Sequence, residues 1–303
     1  STPLYSSAAS DVYKRQDLNS AISLEGDKVF ADNNSASLWK VYEKQDPYTT
    51  VQRLSPDTAT ADQDFGYKIV ARNDGRTVVI SAPTKGQGTL HFLFRREATA
   101  GNSFEPQNSV TMTDNDDNTS KLGYSLSISS DENFVIAGAP YTNTIGSDGS
   151  TRFNDSGLIK IYLWDPATFK YGILNTITPP TDAASQNFGW AHKICEPGAD
   201  SVRATATKYL FVSAPGVNSS AGAVYMYEWG IGADLSTYDT WTQNLTITSD
   251  DPGSSKQFGY QIEANDNGDI LAISSKAPGQ AGKVEIFRRT SQSSDDSVQH
   301  AFT

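Results

Sequence analysis

The stretch FGYKIVARNDGRTVVISAP, residues 65–83, decides the fold because it returns in altered form three more times along the 303-residue chain. The later copies begin at Leu122, Phe188 and Phe258, so successive copies start 57, 66 and 70 residues apart. Within a copy, two short apolar runs flank a connection rich in Gly, Asn and Asp, which tolerate the positive φ angles of hairpin turns. The chain is therefore predicted to consist of copies of one supersecondary unit.

A glycine and an aromatic-rich run follow every copy, as GTLHFLF, GLIKIYLW, GAVYMYEW and GKVEIFRR. A fifth copy, LNSAISLEGDKVFAD at residues 18–32, precedes the others in the same register. The predicted repeat domain covers residues 17–290, and its units cover residues 18–64, 65–121, 122–187, 188–257 and 258–289. Residues 1–16, which lack this periodicity and look non-native, are expected to be a disordered leader, and residues 291–303 a tail.

Each unit is predicted to form four short strands, because runs rich in Val, Ile, Thr, Phe and Tyr alternate with turn residues. A four-stranded sheet cannot bury both of its faces alone, so the units must pack on one another. Radial packing gives an all-β propeller of four-stranded blades, whereas a linear solenoid would have shorter rungs. Five units are visible, and they form either a five-blade ring or part of a larger one.

The residues that recur at equivalent positions have predicted structural roles. The apolar residue that opens each copy is expected to plug the space between blades, the following glycine to avoid a clash there, and the proline to end strand two. These residues are Phe65, Gly66, Pro83, Leu122, Gly123, Pro140, Phe188, Gly189, Pro215, Phe258 and Gly259. Tyr67, Tyr124, Trp190 and Tyr260 follow the glycine and are interpreted as packing residues.

The pattern resembles the FG-GAP repeat family, which forms the blades of integrin α-subunit heads. The likeness rests on Phe65-Gly66 with Ser81-Ala82-Pro83 and on the matching pairs in the next two copies, while the Phe258 copy matches only at its start. The resemblance implies a propeller used for adhesion or assembly. Integrin-like heads have seven blades, so an incomplete seven-blade ring is one expectation here, and a five-blade ring with a gapped junction is the other.

The calcium-binding loops of that family are not expected in this chain. The connections RNDGRT, SDENF and NDNGDI are too short to supply the six to eight oxygen ligands that calcium takes. Asp114, Asp116 and Asn118 alternate like the start of a calcium loop, but the glycine and glutamate of such a loop are missing. They are interpreted as a solvated link, as is the Asp-containing stretch 146–157. No cofactor is expected, with calcium as the alternative.

Composition narrows the classes of partner. The formal net charge of −11 and the lack of a Lys/Arg cluster argue against nucleic acid, and no apolar run is long enough to insert into a membrane as a helix. Cys195 is the single cysteine, so no internal disulfide forms. Because His192 and Cys195 lie three residues apart on one predicted strand, they should point to opposite faces and not form a nucleophilic pair.

The positions of the loops distinguish the two ends of the predicted propeller. Links between strands two and three should share an end with the links between blades, and that end is rich in Asp, Asn and Ser. The other end carries Tyr48, Phe104, Tyr171 and Trp241 near the start of strand four. These are interpreted as blade packing, with an aromatic sugar-binding rim as the alternative.

The expected function is a non-enzymatic propeller outside the cell or on a cell or particle surface, binding a protein or glycan. The alternatives are a propeller enzyme such as a glycosidase or lyase, and a structural module of a larger extracellular or viral assembly. An open blade edge leaves unpaired N–H and C=O groups, which predicts self-association unless SVQHAF, residues 297–302, supplies a closing strand.

Overall fold

The computed structural model describes most of the repeat region and two residues near the end of the chain. The described residues are 20–22, 28–32, 39–43, 49–54, 64–72, 75–95, 103–111, 119–129, 133–168, 170–196, 208–230, 240–277, 279, 281–290 and 301–302. The predicted leader and the candidate residues Asp114, Asp116 and Asn118 lie outside them.

The fold is an all-β propeller of four-stranded antiparallel sheets, as predicted, and the described residues form five such sheets. The first sheet contains β1 (Ser20–Ile22), β2 (Lys28–Asp32), β3 (Trp39–Glu43) and β4 (Thr49–Leu54). The second contains β5 (Ile69–Ala71), β6 (Thr77–Ala82), β7 (Thr89–Phe94) and β8 (Glu105–Thr111). The third contains β9 (Ser125–Ile128), β10 (Phe134–Ala139), β13 (Leu158–Asp165) and β14 (Lys170–Ile177).

The last two sheets follow the same order of strands from the axis outward. The fourth contains β15 (His192–Cys195), β16 (Lys208–Ala214), β17 (Ala223–Gly230) and β18 (Thr240–Ile247). The fifth contains β19 (Phe258–Ala264), β20 (Ile270–Ser275), β21 (Lys283–Thr290) and β22 (Ala301–Phe302). Contacts between the innermost strands β1, β5, β9, β15 and β19 join the sheets in chain order around the axis.

The core lies between successive sheets. The second strands β6, β10 and β16 are buried along their whole length, because each packs between neighbouring sheets on both of its faces. Between the second and third sheets, for example, Val79, Leu90 and Phe92 pack with Leu122 and Val135 in one cluster. These second strands are mostly apolar, as expected for strands with two buried faces, although Thr77, Ser81, Lys208 and Ser213 are buried in them as well.

The Phe-Gly dipeptide forms the junction between blades, as predicted. Phe65, Leu122, Phe188 and Phe258 are buried. The Phe188 N–H donates to the carbonyl of Ser156 at 2.9 Å, and the Gly189 N–H donates to Ser213 of its own sheet at 2.9 Å. A Cβ on Gly157 would lie 2.2 Å from the Phe188 carbonyl oxygen, so the glycine before strand three permits close approach of the next blade.

Three features differ from the sequence-based expectation. A short ribbon of β11 (Thr144–Ile145) and β12 (Arg152–Phe153) forms in the link between β10 and β13, which includes the stretch 146–157 that was interpreted as a solvated link. One helical turn, Val217–Ser220, follows Pro215 and contains left-handed residues. Ala301–Phe302 pairs with Arg289 and Thr290, so part of the predicted tail is the fourth strand of the fifth sheet.

Hydrogen bonds between loops confirm the prediction that links between strands two and three lie at the same end of the propeller as links between blades. The Tyr141 N–H donates to Ser120 at 3.4 Å, and the Gly216 N–H donates to Gln186 at 3.0 Å. Each bond joins a link between strands two and three to a link between blades. No helix in the described part of the chain has the length and apolar character needed to cross a bilayer.

Candidate active site around the propeller axis

Aromatic side chains from four blades meet at the start of the innermost strands. The ring centroids of Tyr67 and Tyr124 lie 5.5 Å apart, those of Tyr124 and Trp190 4.8 Å, and those of Trp190 and Tyr260 5.5 Å. Tyr141, from the link after β10, lies 5.9 Å from Tyr124 and 6.1 Å from Trp190. These five half-buried residues are called the axial aromatic cluster.

Hydroxyl groups of the axial aromatic cluster form a hydrogen-bonded chain from Tyr67 through Tyr124 to Tyr141. Burial raises the pKa of all three phenols above their ordinary value, and the Asp155 carboxylate further raises the pKa of Tyr141. The three hydroxyls therefore stay protonated at neutral pH and remain able to donate hydrogen bonds.

Lysines surround the axial aromatic cluster. Lys121 Nζ lies 4.5 Å from the centroid of the Tyr141 ring, and Lys276 Nζ lies 4.6 Å from that of Tyr260. Lys276 Nζ also donates to the Tyr260 hydroxyl at 3.1 Å. Lys68 Nζ lies 5.8 Å from the Tyr67 ring, and burial lowers the pKa of this lysine. The lysines place positive charge beside these rings, while Asp64 and Asp155 place negative charge near Tyr67 and Tyr141.

A cleft of about 330 Å³ opens beside Tyr141 at the junction of the second and third blades. Its volume is at the small end of the range for ligand sites, which is about 300–1,000 Å³. The residues that line it are Thr119, Lys121, Tyr141, Asn143, Asn154 and Asp155. The cleft thus joins a carboxylate, an ammonium group and a phenol next to a half-exposed aromatic surface, called here the Lys121 cleft.

The backbone of the repeat positions the side chains of the Lys121 cleft. The Asp155 N–H donates to Asn143 Oδ1 at 2.8 Å, and the Asp155 carbonyl accepts from the Asn187 N–H at 3.0 Å. Lys121 and Asp155 have φ values of 56° and 51°, and Asn187 and Ser220 have the same left-handed backbone at the corresponding positions of the next junction. The backbone geometry is therefore general to the repeat, while a lysine and an aspartate at these two positions are found at this junction.

The other chemical candidates do not form sites. His192 and Cys195 are buried, and burial raises the pKa of Cys195 to about 12 and lowers that of His192 to about 3. Among the described residues, no group of three or more His, Cys, Asp or Glu side chains could hold a metal ion. The calcium hypothesis for Asp114, Asp116 and Asn118 stays a prediction because these residues lie outside the described part.

The sequence-based interpretation of the aromatic residues was correct at one end of the propeller and incomplete at the other. Phe104, Tyr171 and Trp241 are buried and pack in the clusters between successive blades, as predicted, while Tyr48 lies outside the described residues. Tyr67, Tyr124, Trp190 and Tyr260 do pack, but on one another and with partly exposed rings. The Lys121 cleft was missed; its one sequence signal is that Tyr141 directly follows Pro140 of the repeat motif.

Asp155 requires a correction. The stretch 146–157 was interpreted as a solvated loop, and Asp148 does lie exposed there, accepting hydrogen bonds from the N–H groups of Ser150 and Thr151 at 2.8 and 2.7 Å. Asp155, however, follows the β11–β12 ribbon, is half-buried and lines the Lys121 cleft beside Tyr141.

Comparison with known proteins supports the fold and gives no family. No family model matches the chain, and no curated protein matches it. Two candidate 6-phosphogluconolactonases are similar in structure: that of Bacteroides uniformis has a TM-score of 0.55 and 13% identity, with 93% of this chain covering 68% of that protein. The protein of Bacteroides fragilis has a TM-score of 0.54 and 14% identity, and the match covers 93% of this chain and 67% of that protein. A Lactobacillus plantarum protein has a TM-score of 0.58 and 10% identity, with 94% of this chain covering 69% of that one.

These similarities correct the expectation of a non-enzymatic adhesion propeller. The solved structures that share the fold include two proteins named as lactonases, whereas the expectation had rested on a resemblance to integrin-like blades. The expectation that the chain is not an enzyme is withdrawn for the same reason. At 13% and 14% identity the similarity shows the fold alone, so any specific activity has to be argued from the site.

Proposed function

We propose that this chain is a propeller hydrolase that opens the internal ester of a sugar-derived lactone at the Lys121 cleft. The observation that carries the proposal is the placement of Asp155, Lys121 and Tyr141 around one cleft beside the axial aromatic cluster. The names of the two Bacteroides neighbours add support for a lactone as the substrate class.

The side chains that line the cleft favour ester hydrolysis over glycoside hydrolysis. A glycosidase of the usual kind needs two carboxyl groups on opposite sides of the scissile bond. Among the described residues that line the Lys121 cleft, Asp155 is the one carboxylate, and Lys121 is the one cation. Hydrolysis of an ester needs one base to activate water and positive or hydrogen-bonding groups at the carbonyl oxygen, which matches this set.

In the proposed reaction, the Asp155 carboxylate accepts a proton from a water molecule, whose oxygen attacks the lactone carbonyl carbon. Negative charge develops on the carbonyl oxygen, where the Lys121 ammonium group and the Tyr141 hydroxyl stabilise it. The bond between that carbon and the ring oxygen then breaks, and the ring oxygen takes the proton held by Asp155. One water is consumed, and the product is an open-chain hydroxy acid.

The axial aromatic cluster would bind the substrate by stacking. Faces of sugar rings carry C–H groups, and a half-exposed aromatic ring offers them an apolar surface with a negative face. Tyr141 belongs both to the cluster and to the lining of the Lys121 cleft. A sugar ring stacked on the cluster can therefore reach the cleft with its ester group.

The proposal is tested by measuring hydrolysis of glucono-δ-lactone above the uncatalysed rate. Loss of the base or of an oxyanion-stabilising group costs roughly 10²–10³-fold in kcat. We expect losses of that order for Asp155→Asn and Lys121→Gln, with unchanged melting temperatures. Asp148→Asn is the matched control, because Asp148 is an exposed aspartate of the same link. Equal rates in Asp155→Asn and wild type would contradict the proposal.

Three expectations from the sequence remain proposals. The repeat residues support kinship with FG-GAP blades, which an alignment of related chains that lack the Phe-Gly and Ala-Pro positions would contradict. We also propose a location outside the cell or at its surface, which recovery of the native protein only from the cytosol would contradict. We also propose that an unpaired blade edge lets copies of the chain associate, which sedimentation as a monomer at every concentration would contradict.

A further inference from the structure

The axial aromatic cluster extends beyond the ring that lines the Lys121 cleft. Tyr141 lines the cleft, and the centroid of its ring lies 6.1 Å from that of Trp190. The centroid of the Trp190 ring lies 5.5 Å from that of Tyr260, which belongs to the next blade. All three side chains are half-buried. Since a pyranose ring is about as wide as one aromatic ring, a single sugar residue is too small to cover all three rings.

The planes of these rings differ in direction. Trp190 is inclined by 58° to Tyr141 and by 47° to Tyr260. The angle between Trp190 and Tyr260 follows from the fold, because these residues occupy the same position of successive repeats and the blades are arranged around an axis. A sugar ring is rigid and can stack on one of these faces at a time. Two sugar rings joined by a glycosidic bond can turn about the bonds of the link, so each of them can stack on a different aromatic ring.

The Tyr260 end of the cluster carries hydrogen-bonding groups that suit a sugar residue. The exposed Lys276 donates a hydrogen bond from Nζ to the Tyr260 hydroxyl at 3.1 Å. An ammonium group has three hydrogens, and a phenol that accepts one hydrogen bond can itself donate another. Sugar hydroxyls both donate and accept, so Lys276 and Tyr260 together can bond to neighbouring hydroxyls of one sugar residue.

We propose that Tyr260 and Lys276 form a second sugar subsite, and that the preferred substrate is the lactone of a disaccharide. This inference rests on the proposed function and extends it. The lactone ring lies at Tyr141 with its ester in the Lys121 cleft, where the proposed hydrolysis takes place. The second sugar residue, joined to the lactone by a glycosidic bond, stacks on Tyr260 and bonds through its hydroxyls to Lys276. Trp190 contacts both Tyr141 and Tyr260 and so lies between the two subsites.

Hydrolysis of glucono-δ-lactone and of cellobiono-δ-lactone compares one occupied subsite with two. One added aromatic contact changes affinity roughly 3- to 10-fold. We therefore expect the wild type to have a kcat/KM higher by that factor for cellobiono-δ-lactone. The difference should lie in KM, because the second sugar residue does not touch the ester and contributes equally to the ground state and the transition state. Equal values of kcat/KM for the two lactones would overturn the proposal.

Tyr260→Ala should abolish the preference for the disaccharide lactone. Tyr67→Ala is the matched control, because Tyr67 has the same position in its repeat, contacts Tyr124 on the other side of the cluster, and should keep the preference. Lys276→Met is a second variant at an exposed position, where loss of folding is not expected, and it should reduce the preference as well. A preference that both Tyr260→Ala and Lys276→Met retain would contradict the subsite.

Binding of the hydroxy-acid products separates the subsite from the hydrolase activity, since a calorimetric titration needs no hydrolysis. The wild type should bind cellobionate roughly 3- to 10-fold more tightly than gluconate, and Tyr260→Ala should bind the two acids alike. If neither lactone is hydrolysed but this difference in affinity is found, the hydrolase proposal fails and the subsite stands. Equal dissociation constants for the two acids in the wild type would overturn the subsite, whether or not either lactone is hydrolysed.

Discussion

The Ser125 hydroxyl lies 2.8 Å from Nδ1 of His192, and both side chains are buried where the third and fourth blades meet. The same hydroxyl donates to the Gly189 carbonyl at 2.8 Å, which uses its one hydrogen. His192 therefore carries its hydrogen on Nδ1 and donates it to Ser125. In the repeat, His192 stands where the second, third and fifth blades have Ile69, Leu126 and Ile262.

Replacing His192 by leucine should make the protein less sensitive to acid. Burial lowers the pKa of His192 to about 3 from an ordinary value of 6.5, and Lys68 adds to the shift. Between pH 6.5 and 3 the unfolded chain therefore binds a proton that the folded chain excludes, so the free energy of unfolding falls as the pH falls. The loss from this group reaches roughly 4 kcal/mol, and His192→Leu should lack it.

Urea unfolding of both proteins at several pH values between about 7 and 3.5 measures this difference. The range begins above the ordinary histidine pKa of about 6.5 and extends well below it. Carboxylates titrate in both proteins and cancel in the comparison. Identical pH dependence in the wild type and His192→Leu would show that the histidine is solvated and not held neutral.

Gly157→Ala should destabilise the propeller strongly. The added methyl would lie 2.2 Å from the Phe188 carbonyl oxygen, and the φ of 85° is unfavourable for any residue with a Cβ. We expect a loss of more than about 2 kcal/mol in the free energy of unfolding. Gly172→Ala is the control, because a Cβ there meets nothing within 4 Å, and it should be neutral or slightly stabilising. Similar melting temperatures for the two variants would be inconsistent with the junction geometry.

Lys208→Met should cost more stability than the change of side chain alone suggests. Lys208 forms a buried ion pair with Glu196, and its ammonium group lies 5.6 Å from the Phe134 ring and 6.0 Å from the Trp229 ring. Removing the cation leaves a buried carboxylate without this partner, which costs about 3–5 kcal/mol. The double variant Lys208→Met/Glu196→Gln should regain much of the loss. Equal unfolding free energies for the single and double variants would argue against the pair.

Cys195 should resist alkylation in the folded protein. The reactive species is the thiolate, and burial raises the pKa of this thiol to about 12. We expect iodoacetamide to modify Cys195 only after unfolding, as mass spectrometry would show. Rapid modification of the native protein at neutral pH would mean that β15 opens to solvent.

The repeat predicted the blades because each of its elements has a local cause. Runs rich in β-branched and apolar residues, such as Thr77–Ala82, form strands buried on both faces, and Gly157 and Gly222 permit the close approach of Phe188 and Phe258. The fourth strand of the fifth sheet was only an alternative in the sequence, because Ala301–Phe302 is short and separated from β21 by residues with no strand pattern.

The Lys121 cleft could not be predicted in the same way. Lys121 and Asp155 are 34 positions apart (155 − 121), and both line the cleft because two left-handed residues and the β11–β12 ribbon turn the chain. Tyr67, Tyr124, Trp190 and Tyr260 recur with the repeat, and recurrence is what packing residues show as well. Their mutual contact depends on the closeness of the innermost strands, which the order of residues does not give.

The fluorescence of Trp190 tests most directly whether the axial aromatic cluster and the Lys121 cleft form one ligand site. Trp190 contacts Tyr141, which lines the cleft, so a bound sugar lactone or its hydroxy-acid product should change its emission. Titration of the wild type with gluconate should give a saturable change that is absent in Trp190→Phe and shifted at least roughly tenfold to higher concentration in Tyr141→Ala. No saturable change in the wild type, or the same change in Trp190→Phe, would contradict the site.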